Sequence, residues 1–259
     1  MKVSIVTPSY NCSRFIERTL LSVLGQSGDF DLEYLVMDGG STDGSLDILR
    51  RYEDRLRWIS EPDSGQSDAI NKGLRLATGD VVGFLNADDV LLPGALDRVA
   101  RCFRNSAFKW AFGKCIIIDE GDREIRRWIT SYKNRQLERF SFRRLLSVNY
   151  ISQPAVFWRR ELLDSVGYFD EQEHYAMDYE YWLRLWKKFE PEFIPADLAA
   201  FRWHPESKGG SGFRRQFADE IRIARSYSDG FGLPIIRHTF NHWAIVTIYS
   251  LMSFMRKRA

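Results

Sequence analysis

The chain has 259 residues, and 44% of them are hydrophobic, which suits one large or two small globular domains with a sizeable core. The formal net charge of +2 argues for no particular partner, and no nucleic-acid partner is expected. No segment reaches the roughly 18 apolar residues that a membrane-spanning helix needs, and the N-terminus is too polar for a signal peptide. The three cysteines are not at metal-ligand spacing, which favours reduced thiols in a cytoplasmic protein.

Strand and helix patterns alternate in the N-terminal part of the chain. Short apolar runs that predict strands lie at residues 3–7, 33–37, 56–60 and 81–85. Amphipathic segments between them predict helices, so the pattern favours a parallel sheet with crossover helices. Each run ends in a small, acidic or Gly-rich turn. The ligand-facing loops are therefore expected to gather at one edge of the sheet.

The most informative segment is VVGFLNADDVLLPGAL, at residues 81–96. Its strand is followed by an amide and two adjacent carboxylates, Asn86, Asp88 and Asp89. Neighbouring carboxylates repel each other, and burying either of them without a partner is costly. A Mg²⁺ or Mn²⁺ ion relieves both problems and also takes nucleotide phosphates as ligands. The residues alone leave open an Asx-rich turn in which an Asp caps the next helix.

The turn after the first strand reads TPSYNCSRF and contains no glycine. A dinucleotide-binding sheet needs G-x-G-x-x-G at this point, and a Walker-type phosphate loop is not found in the sequence either. We therefore expect a metal ion, rather than a glycine cradle, to neutralise the phosphates of a nucleotide.

The second half of the chain changes character. The segment NRQLERFSFRRLL at 134–146 interleaves apolar residues with four arginines. It predicts a basic amphipathic helix that faces an anionic membrane or a diphosphate lipid, or a solvated face. A helix is predicted at 176–185 and a strand at 193–201. The Gly/Ser-rich run at 206–212 predicts a lid or a linker.

The C-terminal residues predict helices at 213–227 and 238–255. Within the second helix, the apolar stretch at 243–254 precedes a basic end at 256–258. Such a segment predicts either a membrane-surface anchor or a helix that packs on the domain.

Five segments, in this order along the chain, resemble the inverting family-2 glycosyltransferases, which have the GT-A fold. They are VSIVTPSYN, VMDGGSTDGS, EPDSGQSDAINKGL, GDVVGFLNADDVLLPGAL and MDYEYWLRL, and the resemblance extends from residue 3 to about residue 208. The bacterial enzymes that build O-antigen, capsule and related exopolysaccharides are the most similar members.

The resemblance implies an α/β fold with a mostly parallel, Rossmann-like central sheet flanked by helices. It implies a GT-A domain at 1–212, with a nucleotide-binding half at 1–110 and an acceptor half at 111–212. A C-terminal helical extension at 213–259, which one interpretation places against the membrane surface, would follow.

The resemblance also implies roles for individual residues on the donor side. Pro8, Tyr10 and Asp38 match the positions that line the nucleotide base, where Asp38 would accept a base N–H. The positions near the ribose and diphosphate are matched by Asp63, Gly65, Gln66, Asp68 and Asn71.

The metal and catalytic positions follow from the last two segments of the resemblance. Asn86, Ala87 and Asp88 match the D-x-D motif, with Asp88 as the metal-binding aspartate. The chain departs from the motif at Asn86, which would bond a ribose hydroxyl. His204 matches a position that completes the metal site in some GT-A enzymes. Asp178 matches the catalytic base, and Glu180 is the alternative base.

The implied reaction moves a sugar from a UDP-, GDP- or dTDP-sugar to a hydroxyl of a glycan acceptor, carried on a polyprenyl diphosphate. The enzyme would work in the cytoplasm, on the inner face of the cell membrane in one interpretation. Asn86, and Met177 where a Glu is usual, favour a non-catalytic sugar-nucleotide-binding protein as the alternative. A nucleotidyltransferase is disfavoured, because the first loop is not rich in Gly and Lys.

Overall fold

A computed structural model describes residues 1–105, 107–207, 213–228, 232–241 and 243. Within them, eight strands form one sheet. The strands are β1 (Lys2–Ser9), β2 (Asp31–Asp38), β3 (Arg57–Ser60), β4 (Val81–Phe84), β5 (Val90–Leu91), β6 (Trp110–Ile118), β7 (Val156–Arg159) and β8 (Glu192–Arg202).

The strand order is β3-β2-β1-β4-β7-β6-β8-β5. The first four strands are parallel to one another, which confirms the alternation predicted for the N-terminal part. The other half is mixed, because β7 is antiparallel to both of its neighbours, β8 is parallel to β6 and β5 is antiparallel to β8. The α/β class is confirmed, and parallel pairing dominates only in the N-terminal half.

Helices flank this sheet. They are α1 (Ile16–Leu24), α2 (Ser45–Arg50), α3 (Gln66–Leu76), α4 (Ala95–Asn105), α5 (Arg127–Leu137), α6 (Phe142–Leu145), a 3₁₀ turn (Gln153–Ala155), α7 (Leu162–Val166), α8 (Met177–Trp186) and α9 (Phe213–Tyr227). Residues 233–241 are also helical, and this helix begins earlier than predicted.

The prediction of one continuous basic helix at 134–146 is wrong. Helix α5 ends at Leu137, and α6 begins only after a break at residues 138–141. The apolar residues Leu137, Leu145 and Leu146 are buried in the core. The apolar side of this segment is therefore covered by the protein itself.

None of the helices in the described ranges is long and apolar enough to cross a membrane. Of the predicted C-terminal anchor, residues 244–259 lie outside the described residues. The same holds for residues 208–212 of the Gly/Ser-rich run.

Two hydrophobic clusters cover the two faces of the sheet. Ile5 and Val6 are consecutive in β1 but belong to different clusters, because successive side chains of a strand point to opposite faces. Much of the aromatic content lies in one cluster, where the rings of Trp110 and Trp182 stack with centroids 6.3 Å apart. Four tryptophans, Trp110, Trp158, Trp182 and Trp186, are thus part of a bulky core, whereas Trp128 is exposed.

Gly83 provides a test of how tightly β4 is packed. A Cβ atom at this position would lie 2.7 Å from Cδ1 of Phe157 and 3.3 Å from the carbonyl oxygen of Val156. We expect Gly83→Ala to lower the free energy of unfolding by about 1–3 kcal/mol, because overpacking a tight core forces strain. Urea denaturation measures this change.

The control is Gly121→Ala, whose Cβ would meet its nearest neighbour at an ordinary 3.4 Å. Its effect should stay within about 0.5 kcal/mol. A Gly83→Ala protein as stable as the wild type would show that β4 and β7 are packed less tightly than the structure indicates.

Candidate active site

The turn after β4 is organised by the amide of Asn86. Its Nδ2 donates hydrogen bonds to Oδ2 of Asp89 and to Oε1 of Gln153, each at 3.1 Å, while its Oδ1 accepts one from Nε2 of Gln66 at 2.5 Å. Gln153 in turn donates to the carbonyl of Phe84 at 2.7 Å. An aspartate could not donate these bonds, so the departure of Asn86 from the D-x-D motif has a structural role.

Asp89 lies at the bottom of this turn and is completely buried. Its Oδ1 accepts a hydrogen bond from the backbone N–H of Arg202 at 2.8 Å. Burial raises the pKa of Asp89 well above its usual value, and the charge of Asp88 adds to the effect. Asp89 is therefore a supporting residue behind Asp88 and is not open to a ligand.

Arg202, at the end of β8, is also completely buried. Its guanidinium donates from Nε to the carbonyl of Asp88 and from Nη1 to the carbonyl of Asp119, both at 2.8 Å. Its Nη2 lies 2.6 Å from the carboxylate of Asp122. The arginine thus fastens the acidic turn to β8 and to the turn after β6.

This attachment brings Asp88 and His204 together, although they are 116 positions apart in the chain. Oδ2 of Asp88 lies 3.0 Å from Nε2 of His204, and the two side chains are 22% and 10% exposed. Adjacent ligands of an octahedral ion at about 2.1 Å lie about 3.0 Å apart. The two side chains are hydrogen-bonded to each other in this structure, and the same spacing would let both atoms bind one Mg²⁺ or Mn²⁺ ion.

Within the described residues, no group of three or more His, Cys, Asp or Glu side chains could hold a metal ion. Asp88 and His204 would therefore need non-protein ligands to complete the coordination. Mg²⁺ sites in enzymes commonly use one or two carboxylates together with substrate phosphates and water, so the pair fits an ion that binds with a nucleotide.

A second group of predicted residues meets at the ends of β1, β2 and β3. A Cβ atom on Gly39 would lie 2.5 Å from Oδ2 of Asp63 and 3.3 Å from Cδ2 of Tyr10, so the glycine lets these side chains approach each other. Oδ1 of Asp63 accepts a hydrogen bond from the N–H of Gly65 at 2.9 Å. Tyr10 is 66% exposed and offers a ring face for a base, whereas Pro8 is buried within β1.

Asp38 ends β2 beside this group but is only 2% exposed. It accepts hydrogen bonds from the N–H groups of Gly40 and Ser41 and from the hydroxyls of Ser41 and Ser60, at 2.5–3.0 Å. Three of these bonds reach Oδ2 and one reaches Oδ1, so most of the roughly four acceptor sites of the carboxylate are used in this conformation. Its predicted contact with a base N–H stays a prediction.

Asn71 is not brought into the site. It is 1% exposed, and its Oδ1 accepts a hydrogen bond from the N–H of Phe169 at 3.0 Å. Its Nδ2 donates to the carbonyl of Phe169 at 2.9 Å and to Glu171 at 3.0 Å. Through these hydrogen bonds, Asn71 connects α3 to the loop before α8. They give no support to its predicted contact with a diphosphate.

A cavity of about 490 Å³ connects the acidic turn with α8, and its lining includes Gln66, Asn86, Gln153 and Asp178. Oδ1 of Asp178 accepts a hydrogen bond from the N–H of Tyr179 at 2.8 Å in the first turn of α8. The sequence-predicted base and the turn that holds the metal-site aspartate therefore border one space.

Glu180 points elsewhere. Arg184 binds both of its oxygens, at 3.0 and 2.7 Å, and the hydroxyl of Tyr227 donates to one of them at 2.6 Å. Met177, where a Glu was expected, is buried with its sulfur 2.7 Å from the hydroxyl of Ser67. Between the two predicted candidates, the geometry favours Asp178 as the base.

Comparison with known proteins identifies the family. Residues 4–167 match the model of "Glycosyl transferase family 2". The chain belongs to this family. An uncharacterized glycosyltransferase of Mycobacterium tuberculosis is 31% identical over 207 residues, which cover 77% of this chain and 74% of that protein.

Other relatives are longer than the matched part. The GalNAc(5)-diNAcBac-PP-undecaprenol beta-1,3-glucosyltransferase of Campylobacter jejuni is 27% identical over 72% of this chain and 60% of its own length. The matches cover 40% of a glycosyltransferase of Nostoc and 15% of the chondroitin synthase of Escherichia coli. The chain thus spans well under two thirds of several curated relatives.

Solved structures share the fold. S. aureus TarS in complex with UDP superposes with a TM-score of 0.65 at 20% identity, over 92% of this chain and 68% of that one. A mannosyltransferase from Pyrobaculum calidifontis, in complex with GDP-Man and Mn²⁺, gives a TM-score of 0.66 at 21% identity, over 93% and 68%. These likenesses confirm the GT-A fold expected from the sequence.

The role of Asn86 can be tested by restoring the usual aspartate. We expect Asn86→Asp to lower the free energy of unfolding by about 1–3 kcal/mol, because it removes two donated hydrogen bonds and places a carboxylate against buried Asp89. Chemical denaturation at pH 7 measures the loss.

The matched control is the double variant Asn86→Asp/Asp89→Asn, which again pairs one amide with one carboxylate. It should recover part of the lost stability, as in a double-mutant cycle. The comparison also needs the single variant Asp89→Asn. If the loss in the double variant equals the sum of the losses in Asn86→Asp and Asp89→Asn, the proposed coupling between positions 86 and 89 is refuted.

Proposed function

We propose that the protein is a metal-dependent, inverting glycosyltransferase that moves a sugar from a nucleotide-sugar donor to a hydroxyl of a glycan acceptor. The observation that carries the proposal is the arrangement around one cavity. Asp178 lies on its wall, and the Asn86 turn, which positions Asp88 opposite His204, borders the same space. Family membership supports the reaction class, and the complexes of the structural neighbours with UDP and with GDP-Man support a nucleotide-sugar donor.

The donor would bind across the ends of β1 to β4. Tyr10 and Pro8, with Asp38, would border the base, and Asp63, Gly65, Gln66 and Asn86 would lie along the ribose and diphosphate. Asn71 would act on the donor only indirectly, by holding the 169–171 loop. The base of the nucleotide follows from none of these contacts, so UDP-, GDP- and dTDP-sugars all remain candidates.

Asp88 and His204 would hold the Mg²⁺ or Mn²⁺ ion together with diphosphate oxygens. When bound, the ion supplies Lewis-acid stabilisation of the negative charge that grows on the departing nucleotide diphosphate. The chain would determine where the ion binds, because Arg202 fixes the backbone of Asp88 and Asp89 fixes the end of β8 that precedes His204.

Asp178 would act as the general base. It would take the proton of the acceptor hydroxyl while that oxygen attacks the anomeric carbon from the face opposite the leaving diphosphate. One in-line displacement inverts the anomeric configuration and needs no covalent sugar–enzyme intermediate.

The acceptor is proposed to be a lipid-linked glycan of a bacterial surface polysaccharide such as O-antigen or capsule. The Campylobacter relative is named for its action on an undecaprenol-linked glycan, which supports a lipid-linked acceptor. Work on such an acceptor would place the enzyme at the inner face of the cell membrane, as a peripheral protein.

The base assignment predicts the behaviour of one variant. Asp178→Asn should lower kcat for sugar transfer by about 10²–10⁴-fold, because the amide cannot take the acceptor proton. The affinity for the donor, measured by calorimetry, should change little. Nucleotide release coupled to acceptor glycosylation measures the rate.

Glu180→Gln is the matched control, since it lies on the same helix and its side chain is held by Arg184 and Tyr227. It should keep transfer within about threefold of wild type. An Asp178→Asn enzyme that turns over at the wild-type rate would remove Asp178 from the mechanism.

The metal assignment predicts that EDTA abolishes transfer and that Mn²⁺ or Mg²⁺ restores it. His204→Ala should raise the Mn²⁺ concentration for half-maximal activity by about tenfold or more, since even residues that only support a ligand cost 10–100-fold in affinity. Titration of Mn²⁺ in the presence of UDP by calorimetry gives the same comparison without turnover.

Glu206→Gln serves as the control, because Glu206 is an exposed carboxylate two residues beyond His204. It should leave the Mn²⁺ requirement unchanged. Full activity after EDTA treatment would refute the metal-dependent part of the proposal.

A further inference from the structure

The end of the cavity formed by the C-terminal helices carries a polar cluster that the proposed chemistry does not use. Its members are Glu220 on α9, His238 in the helical residues 233–241, and Asn149 in the loop after α6, and all three line the cavity that contains Asp178. Glu220 and His238 are each only 3% exposed. Both lie beyond residue 167, where the family match ends.

The cluster presents acceptor atoms. Oε1 of Glu220 accepts hydrogen bonds from Asn149 at 3.1 Å and from Gln216 at 3.3 Å. Oε2 of Glu220 has no hydrogen-bond donor among the described residues, and its nearest charged neighbour is Nε2 of His238 at 3.8 Å. Oδ1 of Asn149 is buried without a hydrogen-bond partner in the part of the chain that the structure describes.

The histidine borders these acceptors. Its Nδ1 lies 2.9 Å from the carbonyl of Leu146, and a carbonyl can only accept, so this nitrogen carries a proton. Its Nε2 lies 3.8 Å from Oε2 of Glu220, which is beyond hydrogen-bond distance. Oε2 of Glu220 and Oδ1 of Asn149 therefore lack hydrogen-bond donors in the described part of the chain, and buried acceptors of this kind call for a ligand that donates hydrogen bonds.

Two short connections link the cluster to the proposed active site. Four residue steps separate Asn149 from Gln153, which binds Asn86, and they span at most about 14 Å. On the other side, the ring of Tyr179, next to Asp178, lies 6.0 Å from the ring of His238. The pKa of Tyr179 is raised well above its usual value, mainly by burial and in addition by the charge of Glu220.

The wall of the same cavity carries exposed aromatic rings. Trp128 and Tyr132 of α5 are 55% and 42% exposed, and both line the cavity. Aromatic faces pack well against the apolar C–H face of a sugar ring, while hydroxyl groups need polar partners. The cavity therefore combines both kinds of contact that a pyranose needs.

We propose that Glu220, His238 and Asn149 form an acceptor subsite for a neutral sugar, whose hydroxyls donate hydrogen bonds to this cluster, and that Glu220 determines acceptor specificity. The proposal rests on the glycosyltransferase function argued above, since it assigns the acceptor side of that site. A sugar with a carboxylate, such as a uronic acid, would be repelled by Glu220.

The test uses p-nitrophenyl β-D-glucopyranoside and p-nitrophenyl β-D-glucuronide, which differ at the charged carboxylate. Ligand-observed NMR titration of the full chain gives both dissociation constants. We expect wild-type protein to bind the glucoside at least tenfold more tightly than the glucuronide. Glu220→Gln should weaken glucoside binding by about tenfold, because it replaces a charge-assisted hydrogen bond by a neutral one, and should bring the two constants closer together.

Asp219→Asn is the matched control, because Asp219 is the neighbouring residue on α9 and pairs with Arg222 at the surface. It should leave both constants unchanged. Equal binding of the two glycosides by wild type, binding of neither, or unchanged constants in a folded Glu220→Gln protein would each overturn the subsite.

The donor assay separates this proposal from the function on which it rests. Thermal shift with UDP, GDP or dTDP and Mn²⁺ measures donor binding without an acceptor. A protein that binds a nucleotide but does not discriminate between the glycosides has the proposed donor site and lacks the subsite. A protein that discriminates between the glycosides but binds no nucleotide keeps the subsite and refutes the transferase.

Discussion

The candidate site depends on the hydrogen bonds that satisfy two buried side chains, Asp89 and Arg202. Both side chains are completely excluded from solvent, and a buried polar or charged group without partners is costly, so each must be satisfied by the fold. Asp89 is satisfied by the backbone of β8 and by Asn86, and Arg202 by the backbone of Asp88 and the turn after β6. These hydrogen bonds join the acidic turn to β8 and to the turn after β6. They therefore fix the position of the acidic turn and hold Asp88 against His204.

Local signals in the sequence were sufficient for the first half of the fold. The apolar runs predicted β1 to β4 and their parallel pairing, because period and turn chemistry are properties of neighbouring residues. The same signals could not give the insertion of antiparallel β7 between β4 and β6. Nor could they show that the arginine-rich segment buries its leucines, since apolar spacing on a helix is the same whether the covering surface is a membrane or the protein core.

The residues of the candidate site also divide into those that the sequence predicted and those that it missed. The acidic turn and the first turn of α8 were found from motifs, yet the pairing of Asp88 with His204 spans 116 positions and came only from family resemblance. Gln153 and Arg202 were missed because an isolated Gln or Arg carries no spacing signal. Asn71 lies in a matched motif, but its hydrogen bonds in this structure hold Phe169, so its contact with the donor stays a prediction.

The two halves of the cavity differ in what constrains them. The proposed donor end is built from segments within the family match, and Asn86 there is bound by three other side chains, so a substitution disturbs several contacts at once. The far end is built largely from α9 and the helical residues after it, which are attached to α8 and its preceding loop by Glu180–Tyr227 and Glu173–Arg222 contacts. Residues on that attached layer make none of the recorded hydrogen bonds that hold Asn86, Asp88 and Asp89 within the described ranges. A fixed donor end and a replaceable acceptor end would let one fold retain the same chemistry while the acceptor sugar varies.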